Sequence, residues 1–444
     1  MGTPKTVPKT IKVGLIGLGT VGSGVARLLL ESKPSLRDKT GIDIQLTRIA
    51  TRTPSKTHGL NLPAGMLTAD VDGLLNDRSL DIVVECIGGI EPARTFLTRA
   101  IEQGKAVVSA NKMLFALHGP ALCQLALQHE TSIGFEAAVA GGIPIISILR
   151  DDLIGNRIFQ LMGIVNGTCN YILTRMVREG LTYEKVIGEA VRLGYAETDP
   201  TLDVSGLDSA HKLAILASLA FHTAIDFEKI HVEGIQDLRL SDIHFARELG
   251  YEIKLIALAQ DVGAGMDLRV HPTLLRQEHP LSSVMDVFNS VFLRADAVGE
   301  QMFYGRGAGQ LPTGSAVVAD IVDAARGSAK RTFQNLQYFR TAAAEHRYLA
   351  IQEVETQYFI SLRVRDMWGV FGCIATVLGQ HKISIKSVIQ KTHAEDSPGV
   401  PIIILTHRAK EKNVRRAIKV IDSLPFVLER SHILRVEDAD EEAR

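Results

Sequence analysis

IKVGLIGLGTVGSGVARLLLE, residues 11–31, decides the fold of the first third of the chain. Residues 11–17 form an unbroken apolar run, as expected of a strand buried on both faces. Gly17-Leu18-Gly19-Thr20-Val21-Gly22 follows at once, and a helical segment continues to about Glu31. This is GxGxxG in the strand–turn–helix context that the motif needs. Gly17 permits the tight turn, Gly19 lets the backbone approach a pyrophosphate, and Gly22 lets the helix pack close to the strand. The N-terminus of that helix then faces the phosphates.

The strand–helix alternation continues downstream. DIQLTRIAT (43–51) is the second strand. A cofactor without a 2′-phosphate wants an acidic residue at the end of this strand. The chain offers Thr51-Arg52-Thr53 instead, with Lys56 close behind. Arg52 therefore favours NADP(H) over NAD(H), unless it is an ordinary solvated loop charge. DIVVECIGG (81–89), KAVVSANK (105–112) and TSIGFEAAVAGG (131–142) read as further strands, with helices over 91–103 and 113–129. Alternation of this kind predicts a doubly wound parallel sheet with ligands at the strand C-termini. Topology thus brings Lys112 to the crevice, where a bare lysine would otherwise read as a surface charge. Glu136, followed by small residues and Gly141-Gly142-Ile143-Pro144, combines one carboxylate with exposed carbonyls. Such a set suits a hard cation, although a plain loop reads the same way.

Composition narrows the function classes. A chain of 444 residues exceeds one core, so two to four domains are expected. A net charge of −1 gives no electrostatic case for nucleic acid or an anionic membrane. No uncharged apolar run is long enough to span a bilayer, and MGTPKTVPKT lacks the apolar core of a secretory signal. Cys86, Cys123, Cys169 and Cys373 are scattered without metal or disulfide spacing, as suits a reducing cytoplasm.

The middle of the chain turns on GYAETDPTLDVSGLDSAHKLAILASLAF, residues 194–221. Gly194, Asp199, Pro200 and Asp203 mark a loop, and a helix follows with Ser205 as its expected N-cap. Asp208 and Lys212 fall four apart on one face, which continues as the apolar Ile215 and Leu219. Asp208 could be a cap and the pair an exposed ion pair. A lysine that opens a buried stripe must instead be paired, shifted in pKa or facing a cavity. LMGIVNGTCNYILTRM (161–176) reads as strand, Asn-Gly turn and helix. Alternating strands within 246–305 point to an α+β domain. GRGAGQLPTGSAVVADIVDAAR (305–326) is a glycine-rich turn feeding a helix, a second candidate phosphate contact or simply a tight turn.

GLGTVG, ANK, EAAVAGGIP, NGTCNYIL, GYAETDPTLDVSGLDSAHKLAILA and YGRGAGQLPTGSAVVAD, in this order, resemble homoserine dehydrogenase over residues 11 to about 326. The resemblance implies interconversion of L-aspartate 4-semialdehyde and L-homoserine with a nicotinamide cofactor, toward threonine, methionine and isoleucine. It implies Lys212 as proton donor or acceptor, with Lys112 beside substrate and cofactor, and Glu197 and Asp208 holding the substrate ammonium. It implies cofactor contacts at Gly19, Thr20, Val21, Gly194 and Gly309, beside Gly17, Gly22 and Arg52 from the glycine motif and second strand. It further implies a sodium site made by Glu136 with the carbonyls of Val139, Gly141 and Ile143. An ammonium group suits the chemistry, because negative charge builds on the aldehyde oxygen as hydride arrives. Cys169 lacks a neighbouring His in sequence, which disfavours the thioester chemistry of another NADP-linked semialdehyde enzyme. Intact Lys112, Glu197, Asp208 and Lys212 disfavour a catalytically silent amino-acid sensor. No kinase-like segment precedes residue 11, so a monofunctional enzyme is expected, assembled as a homodimer or homotetramer.

The C-terminal order β-α-β-β-α-β, from about 355 to 437, is ferredoxin-like and resembles an ACT domain. The resemblance implies a threonine effector. Trp368 stands where such turns usually carry Pro, and Lys382 where a small residue or Gly is common. The expected organisation is a Rossmann-type NADP domain (11–143), an α+β substrate and dimerisation domain (144–326), a linker (327–354) and the ACT domain (355–437). The helix near 309–326 is expected to return to the first domain.

Overall fold

The computed structural model describes residues 9–193, 199–328, 347–390 and 399–437. These fall into two compact units. One holds the described residues of Met1–Leu161, Ala210–Phe227 and Phe288–Glu345, the other those of Met162–Ser209, Glu228–Val287 and His346–Arg444. The division cuts across a linear boundary at residue 143, because the chain leaves the first unit and re-enters it twice.

Along the chain, β1 (Lys9–Ile16), α1 (Thr20–Glu31), α2 (Lys33–Thr40), β2 (Ile42–Ala50), β3 (Leu67–Thr68), α3 (Val71–Leu75), β4 (Ile82–Glu85), α4 (Ala93–Glu102), β5 (Ala106–Ser109), α5 (Lys112–Gln128) and β6 (Ile133–Gly134) come first. A short α6 (Ile145–Ser147) precedes β7 (Ile158–Ile164), which carries the chain from the first unit into the second. α7 (Gly167–Glu179), α8 (Tyr183–Leu193) and α9 (Thr201–Val204) follow, and α10 (Leu207–Ala220) starts in the second unit and ends in the first. β8 (His231–Val232), α11 (Leu240–Glu248), β9 (Tyr251–Asp261) and β10 (Met266–Arg276) belong to the second. The hairpin of β11 (Phe288–Ala295) and β12 (Gly299–Arg306), then α12 (Gln310–Arg326), belong to the first. The second unit ends with β13 (Glu355–Val364), α13 (Val370–Gln380), β14 (Ile385–Gln390), β15 (Val400–Thr406), β16 (Ala409–Lys410), α14 (Glu411–Ile421) and β17 (His432–Val436).

In the first unit, β1 to β6 form an all-parallel sheet in the order β3-β2-β1-β4-β5-β6. The α/β class and the doubly wound sheet are those the glycine motif predicted. Val13, Leu15, Ile49, Val84 and Val108 fill its core with Val25 and Leu29 of α1 and Val317 and Ile321 of α12. Each such side chain, fully buried, contributes roughly 1.5–3 kcal/mol. α12 packs on α1 through glycine: a Cβ at Gly24 would lie 2.0 Å from the Gln310 carbonyl oxygen, and one at Gly314 2.9 Å from the Gly24 carbonyl carbon.

One predicted strand is far shorter than expected. Residues 131–142 hold β-structure only at Ile133–Gly134, and Glu136–Ala138 is a 3₁₀ turn. Ala140 adopts φ 47°, and both oxygens of Glu136 accept backbone N–H groups, from Ile146 and Ser147, at 2.8 Å each. A buried carboxylate that takes two amides from the following turn bends the chain back on itself and ends the ladder.

In the second unit, β10 pairs antiparallel with β9 and parallel with β17, and the sheet continues as β17-β13-β15-β14, antiparallel throughout. With α13 and α14 this last part has the expected β-α-β-β-α-β order. Tyr358, Ile374, Leu378, Ile404, Val414 and Ile421 form its core. Most of 327–354 lies outside the described residues. Its far end is tied down where Met266 and Arg347, and Leu349 and Met266, exchange backbone hydrogen bonds of 2.8 Å. No helix among the described residues is long and apolar enough to cross a membrane.

Candidate active site

The nucleotide cleft is built by leaving side chains out. Gly17 has φ 100°, and a Cβ there would meet the Cys86 carbonyl at 2.7 Å. A Cβ at Gly22 would lie 2.0 Å from the Gly17 carbonyl oxygen, so helix and strand approach as closely as the motif requires. Gly19 is different: a Cβ there would meet nothing within 4 Å, because it projects into open cleft. Gly19 also caps α1 without a side-chain hydrogen bond, so the first-turn amides around Thr20 and Val21 have no side-chain capping partner. Those are the terms on which a helix N-terminus accepts a phosphate. The cleft holds about 570 Å³, and Arg52, Lys56 and His58 line the end beyond β2. Gly309, at φ 126°, caps the helix that packs on α1.

The opposite rim is organised by a residue that sequence reasoning passed over. Glu85, at the end of β4, is completely buried. Its carboxylate accepts the amides of Ile87 at 2.7 Å and Gly88 at 3.0 Å, and the Ser109 hydroxyl at 2.6 Å. Gly88 and Gly89 both take positive φ, and the Asn111 side chain donates to the Gly89 carbonyl at 2.5 Å. Asn111 also caps α5, whose first residue is Lys112. Lys112 therefore stands at the C-terminal end of a central parallel strand, as topology predicted, on a turn locked by Glu85. The available signal was an acid closing an otherwise apolar strand, IVVE (82–85).

A second cluster lies within the second unit. Asn166 caps α7, accepting the Cys169 amide at 2.8 Å. Its side-chain nitrogen donates to Asp203 at 2.7 Å and to Asp208 at 2.8 Å. Asp208 is buried, on the second residue of α10. Lys212 follows one turn later on the same helix. Ser205 does not cap α10. Its hydroxyl donates to the Leu202 carbonyl at 3.4 Å, and Gly206, at φ 86°, makes the turn into the helix. Ser205 instead closes α9, so the capping signature three residues before Asp208 belonged to a different helix end. Asn166 was read as half of an Asn-Gly turn; nothing local marks it as the amide between two acids. Gly194 and Glu197 lie outside the described residues.

The Glu136 turn makes a third feature. Glu136 is buried, which pushes its carboxyl above the usual range, against two amide hydrogen bonds that lower it. The Asp320 carboxylate accepts the Glu136 amide at 2.8 Å and is pushed up to about 8 by burial and by the neighbouring Glu136 charge. Val139, Gly141 and Ile143 are buried beside it. Among the described residues no group of three acidic, His or Cys side chains could hold a metal ion, so any cation here would rest on one carboxylate and carbonyl oxygens.

In the C-terminal module, a cavity of about 130 Å³ lies between β13 and α13, lined by Arg365, Asp366, Gly369 and Gln390. Trp368 beside it is fully exposed. Lys382 adopts φ 60°, the left-handed conformation that favours glycine at such a position.

A doubly wound sheet with an open glycine turn over a cationic cleft defines a dinucleotide-binding protein of the α/β class. Residues 17–136 match the model of the homoserine dehydrogenase NAD-binding domain, and residues 144–322 that of homoserine dehydrogenase. The homoserine dehydrogenase of Pseudomonas aeruginosa is 41% identical over 422 residues, 94% of this chain and 97% of that protein. That of Bacillus subtilis is 39% identical over 97% of this chain. The crystal structure of a homoserine dehydrogenase from Thiobacillus denitrificans superimposes with a TM-score of 0.90 at 42% identity, covering 97% of this chain and 99% of that one. A hyperthermophilic archaeal homoserine dehydrogenase in complex with NADPH superimposes with a TM-score of 0.62 at 26% identity, covering 71% of this chain. The chain belongs to the homoserine dehydrogenase family, and is an oxidoreductase.

Proposed function

We propose that the protein interconverts L-homoserine and L-aspartate 4-semialdehyde with NADP(H), as a step toward threonine, methionine and isoleucine. The observation that carries the reading is the Asn166–Asp203–Asp208 cluster at the start of the helix that bears Lys212. Two carboxylates held around one amide at a helix start suit an ammonium group, which homoserine carries and a simple alcohol lacks. When bound, the nicotinamide supplies or takes up the hydride. Lys212 passes a proton to the aldehyde oxygen as charge builds there, or takes it from the homoserine hydroxyl in reverse. Lys112 stabilises the same oxygen electrostatically, and Asp208 with Glu197 orients the substrate through its ammonium. Arg52, with Lys56 nearby, would meet the 2′-phosphate of NADP, and Gly309, with Gly194 from outside the described residues, would line the cofactor.

The Glu136 turn is read as a sodium site completed by the carbonyls of Val139, Gly141 and Ile143. Two buried acids, Glu136 and Asp320, act on each other here with Arg150 as the cation whose field reaches both, a balance that a bound monovalent ion would ease. The C-terminal module is read as an ACT domain whose cavity beside Gly369 takes threonine and lowers activity. The enzyme is read as a cytoplasmic homodimer or homotetramer.

The test is NADP reduction by the purified full chain with L-homoserine, against NAD and with threonine added. Homoserine-dependent reduction that prefers NADP and falls with threonine is expected. No homoserine-dependent reduction with either cofactor would overturn the assignment, and indifference to threonine would overturn the effector reading alone.

A further inference from the structure

Within the second unit, Arg435 of the C-terminal module pairs with Glu233, next to the segment that packs on the turn before Asp208. β17 lies parallel to β10, with Arg435 opposite Thr273. Arg435 is 2% exposed. It donates to both oxygens of Glu233 at 2.8 and 3.0 Å, and to both oxygens of Glu411 at 2.9 and 2.8 Å. Glu411 opens α14 and also accepts the Tyr358 hydroxyl from β13 at 2.9 Å. Arg415 of α14 also reaches both acids, Glu411 at 2.7 Å and Glu233 at 3.2 Å, and His231 bonds Glu233 at 2.9 Å, but among the described residues only the buried Arg435 holds both oxygens of each, in a fork geometry that fixes direction as well as distance.

Glu233 in turn sits against the acidic cluster. Its amide donates to the Val270 carbonyl at 2.7 Å, and two residues on the Ile235 amide donates to the Val204 carbonyl at 2.9 Å. Between them Gly234 is pressed so closely on the preceding turn that a Cβ would lie 2.2 Å from the Val204 carbonyl oxygen and 2.8 Å from the Ser205 Cα. A Cβ at Gly206 would in its turn come within 3.3 Å of the Glu233 carbonyl. Val204–Gly206 is the short link between Asp203 and Asp208, the two carboxylates that Asn166 holds. Backbone packed this tightly does not deform continuously, so a shift of Glu233 moves the link as a body.

We propose that Glu233 and Arg435 are positioning residues for the reaction: the ion pair fixes the Val204–Gly206 link, and through it Asp208, from the last strand of the C-terminal module. The proposal rests on the reading of Asp208 as a holder of the substrate ammonium. Neither residue touches substrate; each acts through the backbone that carries Asp208.

The test is full-chain Glu233→Gln, which removes the charge at nearly constant volume. Glu353→Gln serves as its control, since it removes a carboxylate paired with Lys410 and Lys412 in the same module, at 3.3 and 2.8 Å. Initial rates with each substrate varied in turn separate the two KM values. Glu233→Gln is expected to raise the homoserine KM about tenfold or more and leave the NADP KM within about twofold, while Glu353→Gln moves neither, since remote misplacement of a site group carries penalties of this order. Hydrogen exchange at the Ile235 amide is expected to speed up in the same variant. An unchanged homoserine KM, or both KM values rising together, overturns the proposal. Asp208→Asn separates the two layers. If it leaves the homoserine KM unchanged, the substrate role of Asp208 falls and the proposal with it. If it raises that KM while Glu233→Gln does not, the positioning role alone falls. Should Glu233→Gln fail to fold, Glu233→Asp, which keeps the charge but withdraws it by one methylene, is measured with the same outcomes.

Discussion

At the nucleotide cleft the chain makes room by leaving side chains out, whereas around Asn166 and Arg435 it packs polar and charged side chains against one another. Gly17, Gly22 and Gly24 bring backbone against backbone, and Gly19 opens on empty space. Asp203 and Asp208 instead depend on the Asn166 amide, and Glu233 and Glu411 on Arg435, partners brought together from separate elements or turns. A glycine acts through its own backbone, so its spacing shows in the sequence. A buried carboxylate acts through whatever the fold brings to it. The first kind of site tolerates changes in charge and fails when a methyl is added; the second does the reverse.

The largest expected effect sharpens the functional end of that contrast. Lys212→Ala should lower kcat by about a hundred- to ten-thousand-fold, the range for loss of a general acid, while NADP affinity measured by fluorescence titration holds. Near-normal turnover would remove Lys212 from the mechanism. Asn166→Ala should raise the homoserine KM about tenfold, since charge-assisted hydrogen bonds contribute roughly 1.5–3 kcal/mol, and should leave the NADP KM alone. If the NADP KM rose equally, the two regions would not be separable. Gly24→Ala should destabilise the protein by about 1–3 kcal/mol, read as a lower denaturant midpoint, because its Cβ has no room against the Gln310 carbonyl. An unchanged midpoint would mean that the α1–α12 contact can open without loss.

The smallest of these effects probes buried charge by pH. Lys254 is buried, donates to the Val284 carbonyl at 2.5 Å, and is lowered by burial to about 8 from an ordinary 10.5. A lysine that binds its proton less tightly when folded opposes folding at all pH values below about 8, and that opposition fades as pH rises toward 10.5. Lys254→Met should therefore be more stable than the parent at neutral pH, with the advantage shrinking across that window; the Asn170 amide still serves the Val284 carbonyl, at 3.4 Å. An advantage that stayed flat from pH 7 to 10 would show that burial of the charge is not its source.

The same contrast explains what could be read in advance. The parallel sheet, the glycine turn and the position of Lys112 followed from local patterns, because period and glycine spacing are properties of a short stretch. The strand expected over 131–142 stopped at Gly134, because Glu136 found amides at Ile146 and Ser147 that no periodicity predicts. Ser205 looked like the cap of α10 because capping signatures do not say which of two adjoining helix ends they serve. Glu85 and Asn166 were hidden as organisers, since Glu85 also joins Ser109, 24 residues away, and Asn166 joins Asp203 and Asp208, 37 and 42 residues away.

Gly19→Ala tests the central contrast most directly, with KM for NADP and for homoserine and the thermal midpoint measured on one preparation. Because the added methyl meets nothing within 4 Å in the cleft, stability should stay within about 1 kcal/mol of the parent, leaving the midpoint nearly unchanged, the homoserine KM should hold, and the NADP KM should rise about tenfold or more as the methyl fills the space a pyrophosphate needs. An NADP KM equal to the parent's would contradict the assignment of this cleft to the cofactor.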